Sequence, residues 1–264
     1  MTLRAELFRA LGALCESPTP AAPNLGGALA LSGRPTDHDY TDVFLFQLYP
    51  YASVYLGAEG MLGGEARDRV AGFWRALGFR PPAEPDHLAT LLALYARLIE
   101  WELEEPDEAR RTLRGQARNA LLWEHLLGWV PVFANKVREI AGRFYADWAD
   151  LLVDALIDEA GTIGRQKTLP LHLREALELP PPSEEPSSFL SGLLVPVRSG
   201  MVLTQADLAR AARDLGLGLR MGERRFVLES FVAQNAVATL EWLTQEAYRS
   251  AERHTSFASS LQDI

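Results

Sequence analysis

Apolar residues recur at helical spacing along most of this chain, and that pattern constrains its fold more than any other feature. Between His87 and Leu103 they fall at i, i+3, i+4, i+7, i+10 and i+11, and so lie on one face of a helix. Strand-like alternation of apolar and polar residues is confined to a short stretch at 194–203. The sequence therefore predicts an all-α fold, a helical bundle with a smaller C-terminal helical part.

Proline- and glycine-rich stretches divide the predicted helices into parts. The first stretch, residues 17–37, predicts a long loop that is mobile or contacts a partner. The second, residues 180–188, predicts an extended polyproline connection. We therefore expect a helical core over 1–178, a proline-rich linker over 179–190 and a C-terminal helical subdomain over 191–264 packed on the core. Further helices are predicted at about 3–15, 40–49, 64–77, 205–215 and 223–249, with apolar stripes at 121–129 and from Phe133 to Ala155.

Charge and cysteine content limit the partners and the compartment. The chain carries 26 basic and 35 acidic side chains, a net charge of −9, which disfavours binding to nucleic acid or anionic lipid. The single cysteine, Cys15, cannot form an internal disulfide, which favours a reducing compartment. The apolar runs are shorter than a membrane-spanning helix needs, and residues 1–20 fit an amphipathic helix better than a secretion signal. We expect a cytoplasmic protein without stable membrane insertion or a nucleic-acid partner.

Motifs that carry catalysis are missing from the sequence. It has no Gly-x-Ser-x-Gly elbow, no His-Glu-x-x-His pair and no complete nucleotide-binding glycine loop. Its five histidines never fall at metal-ligand spacing. We expect no catalytic residue, no metal and no cofactor, and a hydrolase or transferase has only the composition in its favour.

The segment from Tyr40 to Tyr55 is unusually aromatic. It holds six of the 24 aromatic rings in the chain, and Pro50 is expected to break a helix that begins near Thr41. The rings fit either a corner of the core or the wall of a ligand site. In the second case the hydroxyl groups of Tyr51, Ser53 and Tyr55 would face a cleft.

Two histidines have both a structural and a functional interpretation. Asp86 is placed to cap the helix that begins near His87, which would account for the acid without any ligand. Alternatively, Asp86 and His87 form a polar patch for a peptide, with an imidazole that responds to pH. His125 lies on an apolar stripe four residues before Trp129, a position typical of a core histidine.

An acidic run lies at the end of the predicted helix 87–103. Such a run usually forms a solvated helix face, but its carboxylates would also attract an arginine-rich peptide through bidentate bonds. The candidate arginine-binding patch consists of Glu100, Glu102, Glu104 and Glu105.

Residues 203–230 offer an alternative function. Thr204 and Asp207 fit a capping box, and Arg210 and Arg213 are expected to be exposed, as in the first helix of a helix-turn-helix regulator. The connection of about seven residues is too long for a DNA-binding turn, and the helix that follows is too long for a recognition helix. Capping explains the motif without DNA.

Three stretches of the chain together resemble one protein family. Pro50–Phe79 contains PYASVY, Ala83–Leu98 begins AEPDH, and a later stretch reads LLWEHLLGWVPVFANKV with Phe144-Tyr145 beyond it. This combination is similar to the TorD/DmsD family of molybdoenzyme maturation chaperones, over about residues 3–155. The resemblance implies an all-helical, non-catalytic protein.

The same resemblance implies a partner and a site. The partner is a molybdopterin-dependent oxidoreductase subunit, recognised through its twin-arginine leader or in its apo form and held for cofactor insertion before export. A homodimer is also compatible with the family. Matched motif by motif, the peptide-binding residues are Tyr51, Ser53, Tyr55, Asp86 and His87, with His125 and Trp129 beside them.

Overall fold

The computed structural model describes residues 2–164, 166, 168–181 and 185–262. Within these ranges the protein is all-α, as predicted, and two π-helical turns follow α3 and α7 at Thr41–Gln47 and Leu121–Leu126. The α-helices are α1 (Leu3–Ala13), α2 (Ala22–Ala28), α3 (Asp37–Tyr40), α4 (Ala52–Leu56), α5 (Gly64–Ala76), α6 (Leu88–Glu104), α7 (Glu108–Ala120), α8 (Val130–Ile140), α9 (Arg143–Ile163), α10 (Leu171–Arg174), α11 (Pro186–Leu193), α12 (Pro196–Ser199), α13 (Gln205–Leu215) and α14 (Arg224–Gln262).

Two predictions about the expected helical core, residues 1–178, need correction. The stretch 17–37 is not one long loop, because α2 forms within it and packs so closely that a Cβ on Gly26 would lie 2.7 Å from the Phe144 ring. The apolar stripe from Phe133 to Ala155 spans two helices, since Ala141 leaves helical geometry and Gly142 is the N-cap of α9. The spacing of apolar residues does not reveal such a short break, because the helical periodicity continues almost in phase after it.

A first cluster of buried apolar side chains is built mainly by α1, α6, α8 and α9. Phe44, fully buried in the π-helical turn, lies at its aromatic centre, 5.0 Å from the ring of Tyr145 and 5.7 Å from that of Trp148. Two nearby aromatic residues of the same segment are instead exposed to solvent, Phe46 to 67% and Tyr49 to 42%. The aromatic segment therefore supplies both a corner of the core and an exposed surface.

A second cluster of buried apolar side chains joins α11, α13 and α14. The predicted linker 179–190 overlaps it, because α11 begins at Pro186, a residue well suited to the first turn of a helix. Residues 182–184 of that linker lie outside the described residues. Helix α14 is interrupted at Asn235 (φ −157°, ψ 92°), whose side chain accepts the N–H of Ala238 at 3.1 Å and caps the second half. The domain boundaries remain a prediction.

Buried charges join α13 and α14 to the first cluster. The Lys136 ammonium donates to Asp207 at 3.1 Å, and Asp207 also accepts from the N–H of Thr204 at 2.8 Å. Burial alone would raise the pKa of Asp207, but Lys136, Thr204 and Arg210 together hold it below its ordinary value. Arg210 extends the network to Glu246 at 3.0 Å. The carboxylates at this junction therefore have cationic partners from within the chain.

None of the helices in the described ranges combines the length and the apolar character needed to cross a membrane.

Candidate functional site

Residues 50–56 and 84–88 form one joint. The N–H of Ala52 donates to the Asp86 carbonyl at 3.0 Å, and the N–H of Leu88 donates to the Pro50 carbonyl at 2.8 Å. Tyr51 and His87 pair as an isolated antiparallel bridge between these bonds. The two motifs that carry the family resemblance are therefore in direct contact.

The prediction that Asp86 caps its own helix is wrong. The N-cap of α6 is His87, whose Nδ1 accepts the N–H of Ala89 at 3.2 Å. The Asp86 carboxylate instead accepts the N–H of Ser53 at 3.1 Å, in the first turn of α4. Helix α4 lacks a capping side chain of its own at Tyr51, so Asp86 supplies the acceptor from 33 residues away in sequence.

Ser53 and Asp86 face inward. Ser53 is fully buried and Asp86 is 2% exposed, and the Ser53 hydroxyl accepts the N–H of Gly63 at 3.2 Å. In this conformation neither side chain is accessible to a peptide. Their hydrogen bonds connect α4 to the residues that precede α5 and α6, which fixes the position of the neighbouring aromatic side chains.

Tyr51 and His87 form the outer edge of the joint. The half-buried Tyr51 ring meets the His87 ring edge-on, with centroids 4.7 Å apart. Burial lowers the pKa of His87 and outweighs the nearby carboxylates, of which Glu84 is the strongest influence. His87 therefore serves as a neutral acceptor for α6 at neutral pH.

Tyr55 and Trp129 form an aromatic floor. Their rings stack with centroids 5.1 Å apart and an interplanar angle of 17°, and the Trp129 indole donates to the His125 carbonyl at 2.8 Å. Above them lies an apolar groove of about 410 Å³. We define this apolar groove by Tyr55, Trp123, Trp129, Leu173, Phe257 and Leu261, which all line it.

His125 and a histidine missed by the sequence analysis lie near this groove. His125 packs against Phe73 with ring centroids 4.9 Å apart, and burial lowers its pKa to about 4, as expected of a core histidine. His172 is 8% exposed, and burial, followed by the charges of His125 and Arg69, lowers its pKa to about 4. It lies against Gly128 and between the α10 residues Leu171 and Leu173.

No sequence signal distinguished His172, because it is an isolated histidine in a short stretch, 169–173, where leucines alternate and define no helical face. Trp123 could have been found, since it falls in the same WEHLLGW stretch as His125 and Trp129. Phe257 and Leu261 were missed because the last predicted helix ended at about residue 249, whereas α14 continues to Gln262.

The acidic patch is engaged within the protein. Glu100 is 6% exposed and holds the Arg9 guanidinium in a bidentate pair, with oxygen–nitrogen distances of 2.9 and 2.5 Å. Glu102 pairs with Arg118 at 3.1 Å, and buried Glu105 pairs with Arg114. Glu104 is the exposed member, 3.9 Å from Arg97. The expectation of a solvated acidic face is therefore wrong for Glu100 and Glu105.

The C-terminal motif is a capping box, as predicted, with Thr204 and Asp207 bonded reciprocally. Arg213 is exposed, but the expected exposure of Arg210 is wrong. Its guanidinium bonds Asp207 and Glu246 at 3.0 Å each and lies 5.4 Å from the centre of the Trp242 ring. Because Arg210 is held by its own chain, the structure gives the helix-turn-helix alternative no support.

Known proteins match the N-terminal half of the chain. Residues 22–135 match the family model described as nitrate reductase delta subunit. Chaperone protein TorD of Photobacterium profundum is 33% identical over 125 residues, covering 44% of this chain and 57% of the relative. Chaperone protein TorD of one strain of Vibrio vulnificus is 33% identical over 111 residues, covering 38% and 51%.

The chain thus spans about half the length of the curated relatives it matches. The joint, the aromatic floor and His125 all fall inside residues 22–135, whereas α10 and α14 fall outside them. The resemblance found in the sequence is confirmed by the match of the family model to residues 22–135 and by the similarity to the two TorD chaperones.

Proposed function

We propose that this protein is a maturation chaperone for a molybdopterin-dependent oxidoreductase. It binds the twin-arginine leader of that enzyme, or its apo form, in the cytoplasm before export, and catalyses no reaction itself. The observation that carries this proposal is the apolar groove, whose Tyr55–Trp129 floor lies in the segment similar to the TorD chaperones.

The groove has the chemistry that the apolar part of a leader needs. An amphipathic or apolar helix docks by laying a few side chains into such a groove, and aromatic walls bury much area with little loss of conformational freedom. The Trp123 indole Nε1 is buried and has no hydrogen-bond partner among the described residues.

The predicted peptide-binding residues then divide into two roles. Tyr55 and Trp129, which are 3% and 1% exposed, support the floor of the groove from beneath, and Tyr51 and His87 provide a polar edge at the start of α4. Ser53 and Asp86 are positioning residues, because their side chains are buried and bonded within the joint. His125 acts through its carbonyl, which orients the Trp129 indole.

The acidic patch offers the two leader arginines few unpaired carboxylates. Glu100, Glu102 and Glu105 already hold arginines of this chain, so an incoming arginine would have to displace one of them. Exposed Glu104 is the member best placed to accept it. Leader binding therefore depends on the groove and not on the acidic patch.

Calorimetric titration with a synthetic twin-arginine leader tests the groove. Leu173→Asp places a charge at the groove wall, and Leu171→Asp places the same charge on the same short helix outside the lining. Both residues are 38% exposed, which makes them a matched pair. We expect a loss of about tenfold or more in leader affinity for Leu173→Asp, since a carboxylate at an apolar contact must be desolvated, and little change for Leu171→Asp.

A second titration replaces both leader arginines with lysine. Weaker binding of this variant would support carboxylate recognition, because lysine cannot form the bidentate bond. Equal loss of affinity in the two protein variants would show that the groove is not the leader site. No binding of either leader to the parent protein would contradict the proposed function.

A further inference from the structure

The last turns of α14 leave the second cluster and pack on the first. Val227 and Phe231, near the start of the helix, are buried in the second cluster, whereas Phe257 and Leu261 pack against the first. We call residues 250–262 the C-terminal segment. A single helix thus connects the two clusters.

Polar contacts hold the C-terminal segment at the edge of the apolar groove. Arg253 donates to Glu139 of α8 at 2.8 Å, and the His254 Nε2 lies 2.7 Å from the Gly200 carbonyl. The non-helical geometry at Asn235 sets the direction of the helix between the two clusters. The segment is therefore attached at its start, just before its apolar side chains reach the groove.

Phe257 and Leu261 form part of the wall of the groove, in the manner expected of a docked helix. They are spaced i and i+4 on one helical face and line the same groove as Tyr55 and Trp129. The outward positions are polar, with Ser256 and Ser259 exposed. An apolar pair on an otherwise polar helix is the pattern by which helical peptides anchor in grooves.

We propose that the C-terminal segment is a displaceable wall of the apolar groove, which a leader must displace before it binds fully. This inference rests on the proposed function, because it assigns the leader to the same groove. The segment lies outside the residues that match the family model, whereas the groove floor lies within them. The regulation is therefore a property that α14 adds to the family site.

The contact is weak enough to be reversible. Phe257 and Leu261 remain half-buried, and exposed side chains surround them on the other faces of the segment. When a groove is covered for most of the time, the apparent affinity for its ligand equals the intrinsic affinity multiplied by the fraction of molecules in which the groove is uncovered. A leader with more apolar anchors than the segment would then replace it.

The test compares two double variants of the full chain. Phe257→Asp with Leu261→Asp makes the segment leave the groove, and Ser256→Asp with Ser259→Asp adds the same charge on its exposed face. We expect the first variant to bind the leader about tenfold more tightly than the parent, as for a groove nine-tenths covered, and the second to match the parent. Circular dichroism and the midpoint of thermal unfolding check that both variants fold.

A peptide of residues 248–264, labelled with a fluorophore, supplies the second measurement. It should bind the Phe257→Asp, Leu261→Asp variant more tightly than the parent, and added leader should displace it. Unchanged or weaker leader binding by a folded variant would overturn the inference while leaving the proposed function in place. If the peptide binds but the leader does not, then the leader does not compete for the groove, and the proposed function is contradicted as well.

Discussion

The Asp86 carboxylate accepts the backbone N–H of Ser53 at 3.1 Å. Asp86, which precedes α6, therefore caps α4 on the other side of the joint. Both residues are buried, so the bond links the two family motifs and turns Tyr51 and Tyr55 toward their contacts. In the proposed function, these two residues therefore act on peptide binding indirectly.

Replacing Asp86 with alanine should destabilise the protein. The substitution leaves the Ser53 N–H buried without its acceptor, which costs about 1–3 kcal/mol in the free energy of unfolding. Exposed Asp68, paired only with its neighbour Arg67, provides the control, and its replacement by alanine should change stability by about 0.5 kcal/mol or less. Urea denaturation measures both values. Equal effects of the two substitutions would show that the Asp86–Ser53 bond is not structural.

Breaking the Lys136–Asp207 pair should have a larger effect. Asp207→Asn takes away one of the two carboxylates bonded to the buried Lys136 ammonium, since Glu139 remains at 2.9 Å, and it also weakens the bond from Arg210. We expect a cost of about 3 kcal/mol in the free energy of unfolding. The exposed pair Arg138–Asp150 is the control, because its loss through Arg138→Ala should cost about 1 kcal/mol or less. Denaturant unfolding of the two variants measures the difference. If Asp207→Asn lowers the free energy of unfolding no more than Arg138→Ala does, then the buried charges do not hold α13 to α8.

Acid should destabilise the protein through His125 and His172. Their pKa values are lowered to about 4 in the folded state, below the ordinary value of about 6.5 in the unfolded chain. The unfolded state therefore takes up protons first, and stability falls as the pH drops from about 6.5 towards 4. Each histidine contributes a loss of about 2 kcal/mol between pH 7.5 and pH 5.

His172→Gln should remove one of these two losses, since glutamine does not titrate. His38→Gln, at an exposed histidine, should leave the pH dependence as in the parent. Urea unfolding at pH 7.5 and pH 5 gives the comparison. A parent protein equally stable at both values, or an unchanged slope in His172→Gln, would contradict the assignment.

Gly128 is required by its contact with His172. A Cβ at this position would lie 2.5 Å from the His172 Nε2, so Gly128→Ala should displace α10 and lower the free energy of unfolding by about 1–3 kcal/mol. Gly72 lies inside α5 with nothing within 4 Å of an added Cβ. There the same substitution should stabilise by about 0.5–1 kcal/mol. If both substitutions change the free energy of unfolding in the same direction, then the close contact between Gly128 and His172 is contradicted.

Local patterns predicted the parts of the fold that depend on neighbouring residues. The stripe from His87 to Leu103 corresponds to α6, and the Thr204–Asp207 capping box forms as expected. Both depend on residues within a few turns of one another. The helix class of the protein follows from such patterns alone.

Contacts between distant residues could not be predicted in this way. Asp86 had a plausible local role as an N-cap, and the competing bond to Ser53 lies 33 residues away. Glu100 was expected in a solvated or arginine-binding patch, but Arg9, 91 residues earlier, occupies it. Local spacing carries no information about which distant cation approaches a carboxylate, so the true state of the acidic patch required the fold.

Photocrosslinking of a bound leader tests whether the leader lies in the apolar groove. A twin-arginine leader with a photoreactive phenylalanine analogue in its apolar region is crosslinked to the full-length protein, and the modified residues are identified by mass spectrometry. Attachment within 123–132, 169–173 or 196–200, suppressed in Leu173→Asp but not in Leu171→Asp, is the predicted result. Attachment confined to the exposed surface around Phe46 and Tyr49, and indifferent to Leu173→Asp, would contradict the account.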